Sequence, residues 1–213
     1  YVLMNWSCNC IGFSATPHTE IEPFTNILTS YTIYDAFKDN IILPPKIYCL
    51  RGERVITIFD IIQLYEKLSH SLHYKKIIVW CGMIHSTVEL AEKFKMELKV
   101  DYKICVDTSS KSLKHDFGSY EDFYETENNA LLFCAAKHRE GSDIPNLDGC
   151  IFIDYVENRN SKTFVQCIGR VLRKDKHNLK KYGLIIDTKA KSINSLIDRM
   201  SNYFGLNEDI CPW

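Results

Sequence analysis

The sequence predicts a three-layer α/β domain, in which helices cover both faces of a mostly parallel β-sheet. Two observations predict it. From about residue 46 onward, short apolar runs rich in β-branched and aromatic residues alternate with amphipathic stretches of helical length. The chain has 213 residues, 46% of them hydrophobic, and is long enough to bury one such core or slightly more. Alternating strands and helices predict right-handed crossover connections between parallel strands.

The predicted strands are short apolar segments. They run from Lys46 to Leu50, Lys76 to Cys81, Tyr102 to Asp107, Ala130 to Ala136, Cys150 to Tyr155 and Tyr182 to Asp187. Trp80 lies in the second of them, and we expect it to be a core residue rather than a platform on which bases stack.

The predicted helices lie between the strands and repeat apolar residues at helical spacing. They run from Ile58 to His73, Ser86 to Leu98, Tyr120 to Glu125, Ser161 to Leu172 and Ile193 to Phe204. The core-facing stripe of the first helix comprises Ile58, Ile61, Ile62, Tyr65 and Leu68, and that of the fourth comprises Phe164, Val165, Ile168 and Leu172.

The first 45 residues do not share this alternation. A short apolar run ends in Ser14-Ala15-Thr16-Pro17, and Pro44-Pro45 closes the segment. A Pro-Pro pair before a strand is typical of a linker, so we predict one domain segment over residues 1–45 and a second over residues 46–213. Because the chain begins with Tyr1, we expect it to be a piece of a longer protein.

Composition narrows the function classes. A net charge of -1 argues against a protein that grips nucleic acid through overall basicity, but it leaves a local basic face open. The nine cysteines mostly stand singly in apolar runs, and the close pair Cys8 and Cys10 is weak evidence for a metal site. Unpaired thiols favour an intracellular, reducing compartment, cytoplasmic or nuclear, with no membrane contact. Richness in Lys, Asn and Ile is typical of AT-rich genomes, including those of large DNA viruses.

The strongest local pattern is the segment from Gln166 to Arg173. Arg170 and Arg173 are three residues apart on a predicted helix, and so share one of its faces. Two guanidinium groups placed in this way can hold a polyphosphate, because each presents a rigid fork of donors and keeps its charge. The alternative is a solvated basic face, which would continue through Lys174, Lys176, Lys180 and Lys181.

A second segment follows the predicted strand that ends near Ala136. Loops at the carboxyl ends of parallel strands bind ligands in α/β domains. In this loop Gly141 allows a tight backbone path, and Asp143 offers a carboxylate to a ribose hydroxyl. An ordinary turn is the alternative, since Gly, Asp and Pro favour turns.

The order and spacing of these segments resemble the superfamily 2 helicases and translocases. Ser14 to Thr16 resembles motif III, Lys76 to Cys81 with its following helix motif IV, Ala135 to Pro145 motif V, and Gln166 to Arg173 motif VI in the form Gln-x-x-Gly-Arg-x-x-Arg. The resemblance implies that residues 46–213 form the C-terminal RecA-like lobe, and that residues 1–45 are the remnant of the first lobe together with a linker.

The resemblance also implies a role for individual residues. Arg170, Arg173 and Gln166 would be catalytic, and one of the two arginines would be the arginine finger on the γ-phosphate. Asp143, Gly141 and Gly169 would contact ATP, while Ser14 and Thr16 would couple the two lobes. Nucleic-acid contacts would come from Thr108, Ser109, Lys111, Lys137 and His138.

Departures from the family pattern limit what this chain can do. Motif VI lacks the His-Arg-x-Gly-Arg form of DEAD-box RNA helicases, and motif V is closer to DNA-repair, restriction and viral members, which favours DNA over RNA as the partner. The 213 residues contain neither a Gly-x-x-x-x-Gly-Lys-Ser/Thr loop nor an Asp-Glu-x-His/Asp box. ATP and Mg²⁺ would therefore require the missing first lobe, and we expect the chain alone not to hydrolyse ATP.

Two other functions compete with the motor. One is a non-catalytic, helicase-like module that binds nucleic acid or protein without turnover. The other is a plain nucleotide-binding α/β enzyme, which is disfavoured because the sequence has no Gly-rich turn between a strand and a helix.

Overall fold

A six-stranded, all-parallel sheet organises the protein. A computed structural model describes residues 31, 33–50, 56–110, 115–135, 137–138, 142–154 and 161–188. The elements in chain order are α1 (Ile33–Lys38), β1 (Pro45–Cys49), α2 (Ile58–Ser69), β2 (Lys76–Cys81), α3 (Ser86–Glu97), β3 (Lys103–Asp107), α4 (Tyr120–Glu125), β4 (Ala130–Cys134), β5 (Gly149–Ile153), α5 (Ser161–Val171) and β6 (Gly183–Asp187). The described residues from 33 onward belong to one compact unit.

The strand order is β1-β6-β5-β2-β4-β3, which places β2 at the centre of the sheet. Val79 of β2 is in register with Phe133 of β4 on one side and with Ile151 of β5 on the other. Every residue of β2, β4, β5 and β6 is buried. Continuous burial is typical of parallel strands that are covered on both faces, and it explains why these segments are uniformly apolar rather than alternating.

Two hydrophobic cores lie on opposite faces of the sheet. One contains the apolar stripes of α2 and α3, with Ile61, Tyr65 and Phe94 fully buried. The other contains α5 and Phe123 of α4, and in it Trp80 stacks on Phe152 with ring centroids 5.0 Å apart. The three-layer α/β prediction and the core position of Trp80 are confirmed.

Most predicted elements are confirmed with shifts of a few residues at their ends, and one predicted end is wrong. The first predicted helix stops at Ser69 instead of His73, because the hydroxyls of Ser69 and Ser71 bond to carbonyls of the last turn and Leu72 turns into the core. The fourth stops at Val171, one residue before its predicted end at Leu172, and Arg173 lies beyond it. The helix predicted from Ile193 to Phe204 lies outside the described residues.

The segment before the sheet contains a helix that the sequence pattern did not indicate, α1. Pro45, predicted to close a linker, is the first residue of β1 and pairs with Gly183. Proline is tolerated there because β1 is an edge strand and Pro45 is its first residue. The predicted division between residues 1–45 and 46–213 stays a prediction. No helix among the described residues is long and apolar enough to cross a membrane.

Substitutions at two glycines are expected to change stability in opposite directions. A Cβ on Gly149 would lie 2.6 Å from the carbonyl oxygen of Leu184 in the neighbouring strand, whereas a Cβ on Gly169 would meet no described atom within 4 Å. We expect Gly149→Ala to lower the free energy of unfolding by about 1–3 kcal/mol through overpacking. Gly169→Ala should raise it by up to about 1 kcal/mol, because alanine favours helix. Urea denaturation of both variants measures this, and shifts of the same sign would contradict it.

Candidate functional site

The arginine segment is divided by the end of α5. Arg170 lies in the last helical turn, whereas Arg173 lies beyond the helix in an isolated antiparallel bridge with Ile42. The Leu43 amide donates to the Leu172 carbonyl at 2.8 Å, so the incoming chain takes up a carbonyl that has no partner inside the helix. The shared helical face predicted for the two arginines is therefore wrong. They are still neighbours, because the Arg173 amide donates to the Arg170 carbonyl at 3.5 Å. Burial and then the charge of Arg173 lower the pKa of Arg170.

A buried lysine holds the end of α5. The Lys180 ammonium donates to the carbonyls of Val171, Leu147 (2.5 Å) and Arg173 (3.3 Å). Lys180 is only 5% exposed, so the alternative of a solvated basic face does not hold at this residue. Burial lowers its pKa to about 8. A cation at a helix C-terminus is favourable, because the last carbonyls carry the negative end of the helix dipole.

Two buried carboxylates fix the loop that presents Lys180. Asp175 accepts hydrogen bonds from the amides of His177, Leu179 and Lys180 and from the Tyr74 hydroxyl, all within 3.1 Å. Asp148 accepts from two amides that precede β2, both at 2.7 Å. Burial acts to raise the pKa of Asp175, but the hydrogen bonds outweigh it and hold that pKa at about 2. The loop after α5 is thus anchored to the amino-terminal edge of the sheet.

Arg173 forms an ion pair with Asp143 at the protein surface. Their side chains are 52% and 85% exposed, respectively. An ion pair this exposed contributes at most about 1 kcal/mol, so a competing anion can displace Asp143 at small cost. Arg170 lies within electrostatic reach of both Arg173 and Asp143. The structure therefore brings two guanidinium groups and a carboxylate together.

A second set of polar side chains lies at the carboxyl-terminal edge of the sheet. Asp107, the last residue of β3, binds Lys137 Nζ with one oxygen and His138 Nε2 with the other, both at 2.6 Å. The Lys137 carbonyl accepts from Trp80 Nε1 at 3.3 Å and from Cys134 Sγ at 3.4 Å. Four bonds to three residues thus hold the Lys137–His138 turn.

The residues predicted to contact nucleic acid differ in accessibility. The Lys137 side chain is 43% exposed and that of His138 only 11%. Thr108 is half-buried and donates to the Ser110 carbonyl at 3.1 Å, while Ser109 is exposed. Among the other predicted residues, Gln166 is half-buried on α5. Ser14, Thr16, Lys111 and Gly141 lie outside the described residues.

His138 also stacks on Tyr120 and bonds to Ser142 Oγ through Nδ1. Four residues of these surroundings were missed by the sequence analysis: Asp107, Tyr120, Ser142 and Lys180. Asp107 could have been found, because it ends a predicted parallel strand where ligands usually bind. Nothing in the sequence distinguishes Lys180 from the exposed lysines around it. No group of three or more His, Cys, Asp or Glu side chains within the described ranges is placed to hold a metal ion.

The sequence and the structure both have known counterparts. A family model described as the helicase conserved C-terminal domain matches residues 58–175, more than half of the chain. No curated protein matches the sequence.

Solved structures share the fold over most of this chain. A fragment described as the HsdR subunit of a type I restriction enzyme from Vibrio vulnificus YJ016 aligns with a TM-score of 0.65 and 18% identity, over 91% of this chain and 41% of that one. Dbp5 L327V from S. cerevisiae, bound to RNA and ADP BeF3, aligns with 0.59 and 19%, over 92% and 49%. The Type ISP restriction-modification enzyme LlaBIII, bound to DNA, aligns with 0.54 and 13%, over 83% and 14%.

At these low identities the structural alignments show a common fold, the RecA-like helicase C-terminal lobe. The chain spans less than half the length of each of the three proteins. Two of the three are described as restriction enzymes, and the third is described as bound to RNA.

The buried ammonium of Lys180 generates a prediction about stability. Replacing it by methionine leaves three carbonyls without this donor, so Lys180→Met should lower the free energy of unfolding by about 2 kcal/mol or more at pH 7. Exposed Lys181 offers the matched control, and Lys181→Met should change stability by less than about 0.5 kcal/mol. Denaturant unfolding of the two variants measures the difference.

The same substitution should change the dependence of stability on pH. Burial lowers the pKa of Lys180 from 10.5 to about 8, so the unfolded chain binds more protons than the folded chain between those values. The contribution of Lys180 to stability therefore rises with pH across this window, and the gap between wild type and Lys180→Met widens from pH 8 to pH 10. A gap that narrows would show that the ammonium is not desolvated.

Proposed function

Because this chain belongs to the helicase conserved C-terminal domain family, we propose that it is the C-terminal motor lobe of a superfamily 2 ATPase that acts on nucleic acid. The observation that carries the proposal is the group formed by Arg170, Arg173 and Asp143. A guanidinium pair on an accessible surface fits the polyphosphate of a nucleotide, since each group offers several donors at fixed angles.

Only one half of an ATP site is present on this surface. Arg170 and Arg173 would neutralise charge on the transferred phosphoryl group, and Asp143 would accept hydrogen bonds from the ribose or the facing lobe. ATP with Mg²⁺ would supply the phosphoryl group, and the lysine loop and acidic pair that hold them would come from a second RecA-like lobe. An arginine finger contributes about 10³ to 10⁵ in rate. Hydrolysis would then require the lobes to close, which couples it to movement.

The nucleic-acid track is assigned to the carboxyl-terminal edge of the sheet. Lys137 and Ser109 are exposed there and Thr108 is half-buried, and Lys137 could exchange its pairing with Asp107 for a phosphate. Two solved structures of this fold are described as bound to DNA or to RNA. We favour DNA, and a place near restriction, DNA-repair and viral members, because the sequence lacks the His-Arg-x-Gly-Arg motif of DEAD-box proteins.

Removing the outer arginine tests the motor. In the protein that joins this chain to its phosphate-binding lobe, Arg173→Ala should reduce nucleic-acid-stimulated ATP turnover by about 10³-fold or more, while nucleic-acid binding and folding persist. The matched control is Lys176→Ala, which removes an exposed positive charge three residues further on. Steady-state ATPase assays with and without nucleic acid measure the effect. Equal turnover in wild type and Arg173→Ala would instead favour a non-catalytic interaction module.

A companion prediction concerns the chain of 213 residues by itself. Because it offers arginines but no lysine loop, we expect it to bind ATP with a Kd of about 1 mM or weaker, and to release no phosphate. Isothermal titration calorimetry measures the affinity. Micromolar binding would contradict the half-site, since it would require phosphate ligands other than Arg170 and Arg173.

A further inference from the structure

His138 lies at the centre of a closed set of contacts that joins four segments of the chain. Its Nε2 bonds to Asp107 at the end of β3, at 2.6 Å, and its Nδ1 bonds to Ser142 Oγ at 2.8 Å. Its ring stacks on Tyr120, the first residue of α4, with centroids 4.1 Å apart and planes inclined by 14°. With both ring nitrogens bonded and one face covered, the imidazole has a single orientation.

The backbone at His138 is held in an uncommon conformation. Its φ of 63° lies in the left-handed region, which residues other than glycine rarely adopt. Such a conformation persists only where the surroundings enforce it, and here the side-chain contacts to Asp107, Ser142 and Tyr120 do so. Conformations of this kind cluster at functional sites because they fix the direction of the chain.

The residues next to His138 and next to Ser142 in the chain connect these contacts to both parts of the site. Lys137 precedes His138 and shares the Asp107 carboxylate with it. Ser142, the partner of Nδ1, immediately precedes Asp143, which pairs with Arg173. The His138 imidazole is therefore linked on one side to Asp107, the partner of Lys137, and on the other to Ser142, which precedes Asp143.

Tyr120 extends the set of contacts toward α5. Burial raises the pKa of Tyr120, while a hydrogen bond with Ser142 and the positive charge of Arg170 act to lower it. The phenol therefore lies within the electrostatic reach of Arg170 as well as against the imidazole of His138. Its place at the start of α4 is fixed by the capping box of Ser119 and Asp122.

We propose that His138 is a positioning residue that holds Asp143 in place through Ser142 and transmits the state of Lys137 to it through Asp107. When a nucleic-acid phosphate draws Lys137 away, the Asp107 carboxylate loses one of its two partners and concentrates its charge on His138. The hydrogen bond from Nε2 then strengthens, and the Ser142–Asp143 segment is held more tightly. The coupling to nucleic acid rests on the proposed contact of Lys137, and its catalytic consequence rests on the proposed ATPase function, whereas the hold of His138 on the Ser142–Asp143 segment rests on neither.

The test is amide hydrogen exchange of residues 142–144 in the complete protein, with and without a DNA oligonucleotide. In wild type, DNA should slow this exchange. His138→Phe keeps the ring against Tyr120 but removes both hydrogen bonds, so exchange without DNA should be roughly tenfold or more faster and DNA should no longer slow it. His73→Phe is the matched control, since His73 is an exposed histidine away from these contacts.

Two further variants guard against simple unfolding. Ser142→Ala removes the bonds of the Ser142 hydroxyl to His138 Nδ1 and to Tyr120, and it should speed the exchange of residues 142–144 without altering the Asp107 pair. His138→Gln can both donate and accept, so it should restore part of the slowing by DNA. If His138→Phe does not fold, these two variants decide the question by themselves.

The outcomes separate this inference from the proposed function. Unchanged exchange at residues 142–144 in the folded variants overturns the positioning role, whatever the ATPase activity. Faster exchange with a full DNA effect overturns the link to Lys137. If the wild-type protein hydrolyses no ATP, the motor proposal fails, while the exchange data still decide whether His138 holds Asp143.

Discussion

The ammonium of Lys180 is the interaction on which the position of the arginines depends. Desolvating a charge is costly, and the cost is partly offset here by three carbonyls and by the neighbouring carboxylates Asp148 and Asp175. The three carbonyls belong to Val171 at the end of α5, to Arg173 beyond that end, and to Leu147 before β5. One group therefore ends the helix, fixes the exit of the chain and joins two crossover connections of the sheet.

Rigidity and exposure are separated in this lobe. The segment that carries Arg173 has a buried backbone support, yet its side chain reaches solvent and is paired with the more exposed Asp143. Lys137 shows the same division, because its carbonyl is held by Trp80 and Cys134 while its ammonium lies at the surface. Precise placement of a charge that stays available to a ligand is the arrangement that electrostatic catalysis and phosphate binding require.

The layers and strands could be predicted from the sequence because each depends on a local pattern. Uniform apolar runs such as Lys76 to Cys81 are what strands buried on both faces require, and helical spacing marks the stripe of α2. For the candidate site, the sequence predicted which residue types occur and in what order, but not how they are arranged in space. That Arg173 leaves the helix, and that Lys180 is buried while Lys181 is exposed, depends on chain segments that meet in the fold. Local propensity contains no information on such meetings.

Asp143 is the point at which the two parts of the site meet. Through the adjacent Ser142 it is tied to His138, whose other nitrogen is bonded to the half-buried Asp107 at the end of β3, and through its own carboxylate it holds Arg173. The first connection is partly shielded from solvent and the second is exposed, so the two have different strengths. An anion that takes Arg173 would break the weaker contact and leave Asp143 in place, with its carboxylate free to accept new donors. Asp143 is thus a partner of Arg173 that an anion can replace.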